Sequence, residues 1–310
     1  MITIGGEQLN IFEAINRFRE DKLREGASPA TTEQYVYQLD TAFAKLKEDG
    51  FKEITPETFR QILTADMSDT QYNLRASALR SFFKWAYQTD LTQNNLTEKI
   101  KMRRKKEKAP ESYVWLTIEE RDKLINAAKT LRQKLAIALL AKTGMRIGRL
   151  EPRREFIGLD WADINLEEKK IEVHGKGAGV EGKIRYPRFD DDVKELLLAW
   201  RNQGGNFPLY RDNGTFNKML RKVAAKAGIT KHLTAHVLKH TFCTNWVIVK
   251  KLSKQPEDLR ELSAQVGTKI ATLEIYLHIA DQFLKSAYDE TMKLEKEMKE
   301  KSAEVRGDER

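Results

Sequence analysis

The most constraining stretch of the chain follows Leu131 and runs through Ala136-Ile137-Ala138-Leu139-Leu140. As a helix it is apolar nearly all round, so it has no face to offer to water and belongs at the centre of a packed domain. No run of about 18 apolar residues occurs anywhere, so no helix of this chain is expected to span a membrane. The opening Met1-Ile2-Thr3 is not followed by the basic and apolar stretches of an export signal.

The residues before that segment read as further helices. Leu9, Phe12, Ile15 and Phe18 form one stripe, Tyr35, Leu39, Phe43 and Leu46 a second, and Leu74, Ala78, Leu79, Phe82, Phe83 and Ala86 a third. Spacings of three and four place each set on one helical face. Ser28-Pro29 and Thr55-Pro56 are start signals, an N-cap hydroxyl followed by a proline whose missing N–H costs nothing in the first turn. Thr117 and Glu120 have capping-box spacing. Further on, Lys170-Ile171-Glu172-Val173-His174 alternates, Gly175-Lys176-Gly177 turns and Lys183-Ile184-Arg185-Tyr186-Pro187 returns, which predicts a β-hairpin. The expected fold is mostly α with a small β-sheet, in two domains. A helical bundle covers 1–100, a basic linker 101–112, a mixed α/β domain 113–280, and a charged C-terminal helix or tail 281–310.

The 310 residues carry a net charge of +9, which points to a polyanionic partner without choosing between RNA and DNA. Between Lys101 and Pro110 there are six basic residues and one acidic residue. Such a run is a solvated linker that also suits DNA phosphates, because each neutralised phosphate releases counterions. The single cysteine, Cys243, allows no disulfide or cysteine-based zinc site within one chain and fits a reducing, cytoplasmic setting. Its flanks, Phe242 and Thr244, suggest a small buried filler. No histidine–carboxylate set has metal-binding spacing.

Four islands carry chemistry: Thr143-Gly144-Met145-Arg146-Ile147-Gly148, Gly175-Lys176-Gly177, Ala235-His236-Val237-Leu238-Lys239-His240-Thr241-Phe242, and Thr272-Leu273-Glu274-Ile275-Tyr276-Leu277-His278. Each alone is weak. Tyr276 taken singly reads as a core aromatic, His236 as a satisfied buried histidine, Lys176 as a solvated hairpin tip and Arg146 as a surface arginine. In this order, after a basic helical domain, they resemble the catalytic domain of the tyrosine recombinase (phage integrase) family. Asn73-Leu74-Arg75 and Leu79-Arg80-Ser81-Phe82-Phe83-Lys84-Trp85-Ala86 are similar to the last helices of that family's core-binding domain, so the resemblance spans roughly residues 9 to 280.

The resemblance implies a two-domain clamp on double-stranded DNA. It implies attack by Tyr276 on a backbone phosphorus, giving a 3′-phosphotyrosine link and a free 5′ hydroxyl. Attack on an anionic phosphodiester builds further negative charge, so fixed cations stabilise the transition state more than the ground state. Arg146, with its planar fork, is the first such cation. A phenol with an ordinary pKa of about 10 needs a proton acceptor, for which His236 is the candidate. Lys176 would protonate the leaving oxygen, and Lys239 and Thr268 would complete the phosphate clamp. Bond energy is conserved in the phosphotyrosine, so no metal or nucleotide cofactor is implied. Arg75, Arg80, Lys84, Lys101, Arg103, Arg104, Lys105 and Lys106 are the candidate DNA-backbone contacts. Paired cuts on two duplexes imply self-association into a tetramer on DNA, with integration or excision of a mobile element as the task.

Three departures stand out. Lys239 occupies a position where the family has arginine, which keeps the charge but loses the bidentate fork. Gly267 is followed by Thr268-Lys269 in place of the family's histidine or tryptophan. Arg149 stands where the family has an acidic residue three after the first arginine, and Glu151-Pro152-Arg153-Arg154-Glu155 reads as an insertion. These differences suggest a divergent branch, of archaeal, viral or mobile-element origin. They leave open a DNA-binding relative that has lost its chemistry, and also a type IB topoisomerase-like relaxation activity. A basic RNA-binding scaffold is the most remote alternative, since no aromatic sheet surface is visible.

Overall fold

The computed structural model describes residues 3–4, 7–48, 54–55, 57–104, 109, 112–148, 155–175 and 183–307. It divides into two compact units, Met1–Glu107 and Lys108–Arg310.

The first unit opens with the antiparallel pair β1 (Thr3–Ile4) and β2 (Glu7–Asn10), followed by α1 (Ile11–Arg24), α2 (Pro29–Glu48), α3 (Thr58–Ile62) and α4 (Asp69–Gln88). Asn10 caps α1 by accepting from the Phe12 amide at 3.1 Å, and Ser68 caps α4. The predicted stripes meet in one core, where Phe18, Leu39, Phe43, Leu79, Phe82 and Phe83 are fully buried. Its aromatic rings meet edge to face, Phe59 and Phe83 at 5.2 Å and Phe82 and Phe83 at 5.1 Å between centroids. The half-polar Trp85 satisfies its indole N–H on Asp21 of α1 at 3.0 Å.

The second unit is built around α6 (Leu131–Thr143), preceded by α5 (Ile118–Asn126) with the predicted Thr117–Glu120 capping box formed in both directions. Leu135 to Ala141 are all buried, as an all-apolar helix requires. Each of its leucines and isoleucines contributes about 2 kcal/mol by leaving water. The small β-sheet consists of separate antiparallel pairs. β3 (Ile164–Asn165) pairs with β4 (Lys170–Ile171), and β5 (Val173–Gly175) pairs with β6 (Lys183–Arg185) in the register Val173–Arg185, His174–Ile184, Gly175–Lys183. The pairing continues in the same register beyond β5 and β6, with a bridge between Lys170 and Arg188 and the Ile171 amide donating to the Pro187 carbonyl at 2.9 Å, so the predicted hairpin is paired along its alternating sequence. The helices α7 (Asp191–Asn202), α8 (Asn213–Lys226), α9 (Ala235–Leu252), α10 (Leu259–Val266) and α11 (Ile270–Gly307) complete the unit. The expected C-terminal tail continues the helix that carries Tyr276. Beyond the contact of Phe283 with Trp115 (5.1 Å between ring centroids), that helix exposes Tyr288, Met292 and Leu294.

The apolar interior of this unit has two parts. The larger surrounds α6 and takes Leu238 from α9. The smaller takes Cys243, Val247 and Ile248 from α9, with Leu262 and Val266 of α10 and Leu273, Tyr276, Ile279 and Ala280 of α11. No helix of the described residues is long and apolar enough to cross a membrane.

Candidate active site

The chain turns sharply after α6. Gly144 caps the helix in the left-handed region (φ 67°), and a Cβ there would lie 2.5 Å from the Phe242 ring and 2.6 Å from Val266. Only glycine allows this close approach. The turn buries Met145 and brings Arg146 out with its side chain one-third exposed. Its Nη2 donates to the Gly267 carbonyl at 2.6 Å and to Thr268 Oγ1 at 3.1 Å, and its Nη1 reaches Glu155 Oε1 at 3.4 Å. The expected neighbours Arg146 and Thr268 are therefore in contact. Gly267 is itself left-handed (φ 62°), and a Cβ on it would lie 2.6 Å from Arg185 Nε and 3.3 Å from Arg146 Nη1.

Glu155 corrects the sequence reading. Its carboxylate accepts from the Arg146 backbone N–H at 2.8 Å and from Arg185 Nη2 at 2.5 Å, and the residue is buried. The Phe156 and Ile157 amides donate to the Arg146 and Ile147 carbonyls, so the backbone re-registers immediately after the extra residues. Glu155, rather than Arg149, is the acidic partner of Arg146, and the insertion ends at residue 154. Removing residues 149–154 from the sequence leaves Arg-Ile-Gly-Glu-Phe-Ile-Gly-Leu, an unbroken acidic-then-apolar pattern.

Lys239 is buried on α9 with its ammonium donating to the Val266 carbonyl at 2.6 Å. Burial, reinforced by the neighbouring Arg146 guanidinium, lowers its pKa to about 7. Arg185, also buried, is held below its usual range by desolvation despite its bond to Glu155. Arg146 and Arg185 thus share the one Glu155 carboxylate, leaving positive charge that an anion can complete and to which Lys239 adds when protonated.

Tyr276 sits in a packed position, 5% exposed, among the residues of the smaller core. Its hydroxyl is not alone there. His240 Nδ1 lies 2.7 Å away, and the Cys243 thiol is in hydrogen-bond contact with it. Burial, and then Cys243, push the phenol well above its ordinary pKa, while Arg146 acts in the opposite direction. The phenol's hydrogen-bond partner is His240, where the sequence pointed to His236. His236 is exposed and meets the His240 ring edge-on at 4.5 Å, and Tyr113 meets the His240 ring edge-on at 5.4 Å. Two histidines four apart share one face of α9, and their spacing alone does not decide which one touches the phenol.

In the first unit the candidate DNA contacts divide. Arg80, Lys84, Lys101 and Arg104 are exposed. Arg103 is turned inward. Its guanidinium donates to the Thr64 and Met67 carbonyls at 2.9 and 2.5 Å and lies 4.0 Å from the Tyr72 ring centre. Arg75 reaches Gln38 and the Ile62 carbonyl, both at 3.4 Å. These two arginines satisfy carbonyls at the end of α3 and in the loop after it, which have no helical partner. Lys105, Lys106 and Lys176 lie outside the described residues.

A model of the phage integrase family matches residues 114–282, more than half of the chain, and one of the phage integrase N-terminal SAM-like domain matches residues 15–90. The chain belongs to the phage integrase family. Its members, the tyrosine recombinases, transfer DNA strands without a cofactor. Among similar proteins, the tyrosine recombinase XerC of Lactobacillus delbrueckii subsp. bulgaricus is 27% identical over 289 residues, covering 84% of this chain and 92% of that protein. The tyrosine recombinase XerD of Halalkalibacterium halodurans is 28% identical over 239 residues, 71% of this chain and 75% of that one. Two solved structures share the fold. A lambda integrase(75-356) dimer bound to a COC′ core site superposes with a TM-score of 0.63 at 16% identity, covering 84% of this chain and 96% of that one. XerH bound to its difH substrate gives 0.59 at 17%, covering 87% and 82%.

Proposed function

We propose that this chain is a site-specific DNA recombinase that cleaves and rejoins DNA through Tyr276. The observation that carries the reading is that Arg146 bonds Glu155, the Gly267 carbonyl and Thr268, that Lys239 bonds the adjoining Val266 carbonyl, and that Tyr276, its hydroxyl paired with His240, packs in one cluster with Val266. In the proposed step the Tyr276 oxygen forms a bond to phosphorus and the 5′ oxygen leaves. The phenolic proton passes to His240, its partner in the DNA-free chain, or to His236 beside it. Lys176 supplies a proton to the leaving oxygen. Attack by a 5′ hydroxyl reverses the step. Arg146 turns its fork from the Gly267 carbonyl to the phosphate, and the charge on Lys239 adds to it. A phosphate does not reach a 5%-exposed phenol without movement, so cleavage requires the first turns of α11 to shift when DNA binds.

Pairing of two duplexes by a tetramer, and use of the reaction to integrate or excise a mobile element, are the finer parts of this proposal. An archaeal, viral or mobile-element source is likewise a finer part of it; the XerC and XerD relatives described above come from bacteria. The test is a duplex from DNA flanking the gene, nicked near the candidate cleavage site so that the cut fragment diffuses away. Wild type is expected to accumulate a covalent protein–DNA adduct that Tyr276→Phe does not form. Binding of the same duplex without adduct would identify a DNA-binding relative without chemistry. Relaxation of an unrelated supercoiled plasmid at the same rate would favour topoisomerase-like action.

A further inference from the structure

The mechanism above leaves Arg185 without a task. It is 8% exposed on β6, and its Nε–H has no partner among the described residues. A buried arginine with an unmet donor is a poor choice for stability alone, because desolvation of the charge is not fully offset. Its other contacts join separate pieces of the site. Nη2 donates to Glu155 Oε2, the carboxylate that also holds Arg146. Nη1 donates to the Gln265 carbonyl at 2.6 Å, at the end of α10. The two following carbonyls, of Val266 and Gly267, are the seats of Lys239 and Arg146. The Gln265 amide tightens the same junction by donating to the Thr143 carbonyl at the end of α6 and the Arg188 carbonyl after β6, at 3.0 and 2.8 Å. Gly175, at the root of the hairpin turn, packs over the pair, since a Cβ there would lie 3.5 Å from Glu155 Oε1 and 3.8 Å from Arg185 Nε.

We propose that Arg185 is a positioning residue for the phosphate clamp. Through Glu155 it fixes the guanidinium of Arg146, and through the Gln265 carbonyl it fixes the end of α10 on which Arg146 and Lys239 are seated. This role rests on the recombinase reading above. Arg185 itself does not touch the DNA. Its loss therefore slows the covalent step and leaves DNA affinity in place.

The experiment is single-turnover adduct formation on the nicked duplex at saturating DNA, from pH 6 to 9, with DNA affinity measured separately. The proteins are wild type, Arg185→Met and Arg185→Lys. Arg185→Met is expected to slow adduct formation about 100-fold with DNA affinity within twofold, as removal of an interaction aimed at the transition state does. Because Arg185 repels the Lys239 proton, the fall in rate on the alkaline side should also move to higher pH. Arg185→Lys keeps the charge but not the fork and should lie between the two. A folded Arg185→Met with the wild-type rate and pH profile overturns the proposal. So does a rate loss matched by an equal loss of DNA affinity. If Arg185→Met fails to fold, Arg185→Lys decides, and a wild-type rate from it overturns the proposal. No adduct from wild type would instead sink the recombinase reading, and this role with it.

Discussion

Lys239→Met separates the energetic cost of the site from its use. In the native chain the Lys239 proton is held with a pKa of about 7, against an ordinary value of 10.5. At pH 6 the unfolded chain therefore binds that proton more tightly, which destabilises the native state by about 5 kcal/mol, at roughly 1.36 kcal/mol per pH unit. At pH 9 the native lysine is already neutral, and the penalty is about 2 kcal/mol. Stability falls as pH drops from 10.5 towards 7 and falls no further below 7, where both states are protonated. The methionine variant lacks this dependence. It also loses the donor to the Val266 carbonyl, a cost of about 1–3 kcal/mol that does not vary with pH. The gap between variant and wild type should thus narrow by about 3 kcal/mol from pH 6 to pH 9, the variant being relatively more stable at the acid end. Urea titration followed by tryptophan fluorescence is suitable, because Trp115, Trp161, Trp200 and Trp246 all belong to the second unit. A gap constant to within about 0.5 kcal/mol over that range would refute the placement of a buried, proton-losing lysine.

Lys239→Arg should hold its adduct-forming rate above pH 7, where the wild-type rate falls as Lys239 loses its proton, and a parallel fall in both proteins would count against that cause. Gly267→Ala places a Cβ against Arg185 in a left-handed turn and should lower stability by about 2 kcal/mol in the same titration, whereas the exposed left-handed Gly204, with open space around it, should tolerate alanine at about 1 kcal/mol. His240→Ala leaves the buried Tyr276 hydroxyl with only the weak Cys243 thiol and should cost about 1–3 kcal/mol of stability, while His236→Ala leaves the melting temperature nearly unchanged and slows adduct formation. Arg103→Met should destabilise the first unit by removing donors from the Thr64 and Met67 carbonyls, whereas Arg80→Ala should leave folding intact and reduce the salt dependence of DNA binding by about one counterion, read from a plot of log affinity against log salt.

Local chemistry made much of this molecule legible in its sequence. The all-apolar run after Leu131 lies at the centre of its unit, and the Thr117–Glu120 box caps the helix that it was expected to start. The order of the four islands led to the family. What remained hidden depends on geometry that spacing does not encode. Glu155 was masked by six extra residues, and an arginine-to-acid spacing of three pointed to Arg149. The apolar run from Phe156 to Leu159 was the available signal that the pattern resumes at Glu155. His236 and His240 are equivalent in a sequence and are distinguished only by where α11 packs. Arg75 and Arg103 look like DNA contacts by charge, yet carbonyls at the end of α3 and just beyond claim them first. Nothing in the sequence marks Gln265 or Arg185 as a junction.

The divided interior of the second unit has a consequence for how the reaction starts. Arg146 follows directly from α6, and Glu155 adjoins Phe156 and Ile157 of the large core, whereas the phenol rests in the minor one together with the end of α10. A displacement that loosens only the minor cluster leaves the main foundation standing, as sub-global opening does in other proteins. The Val266 and Gly267 carbonyls stay with that foundation, because Arg185 and the Gln265 side chain tie the end of α10 to β6 and to the end of α6. On the recombinase reading, freeing the Tyr276 hydroxyl then leaves the seats of Arg146 and Lys239 in place, so the grip on the phosphate stands ready before the nucleophile is released.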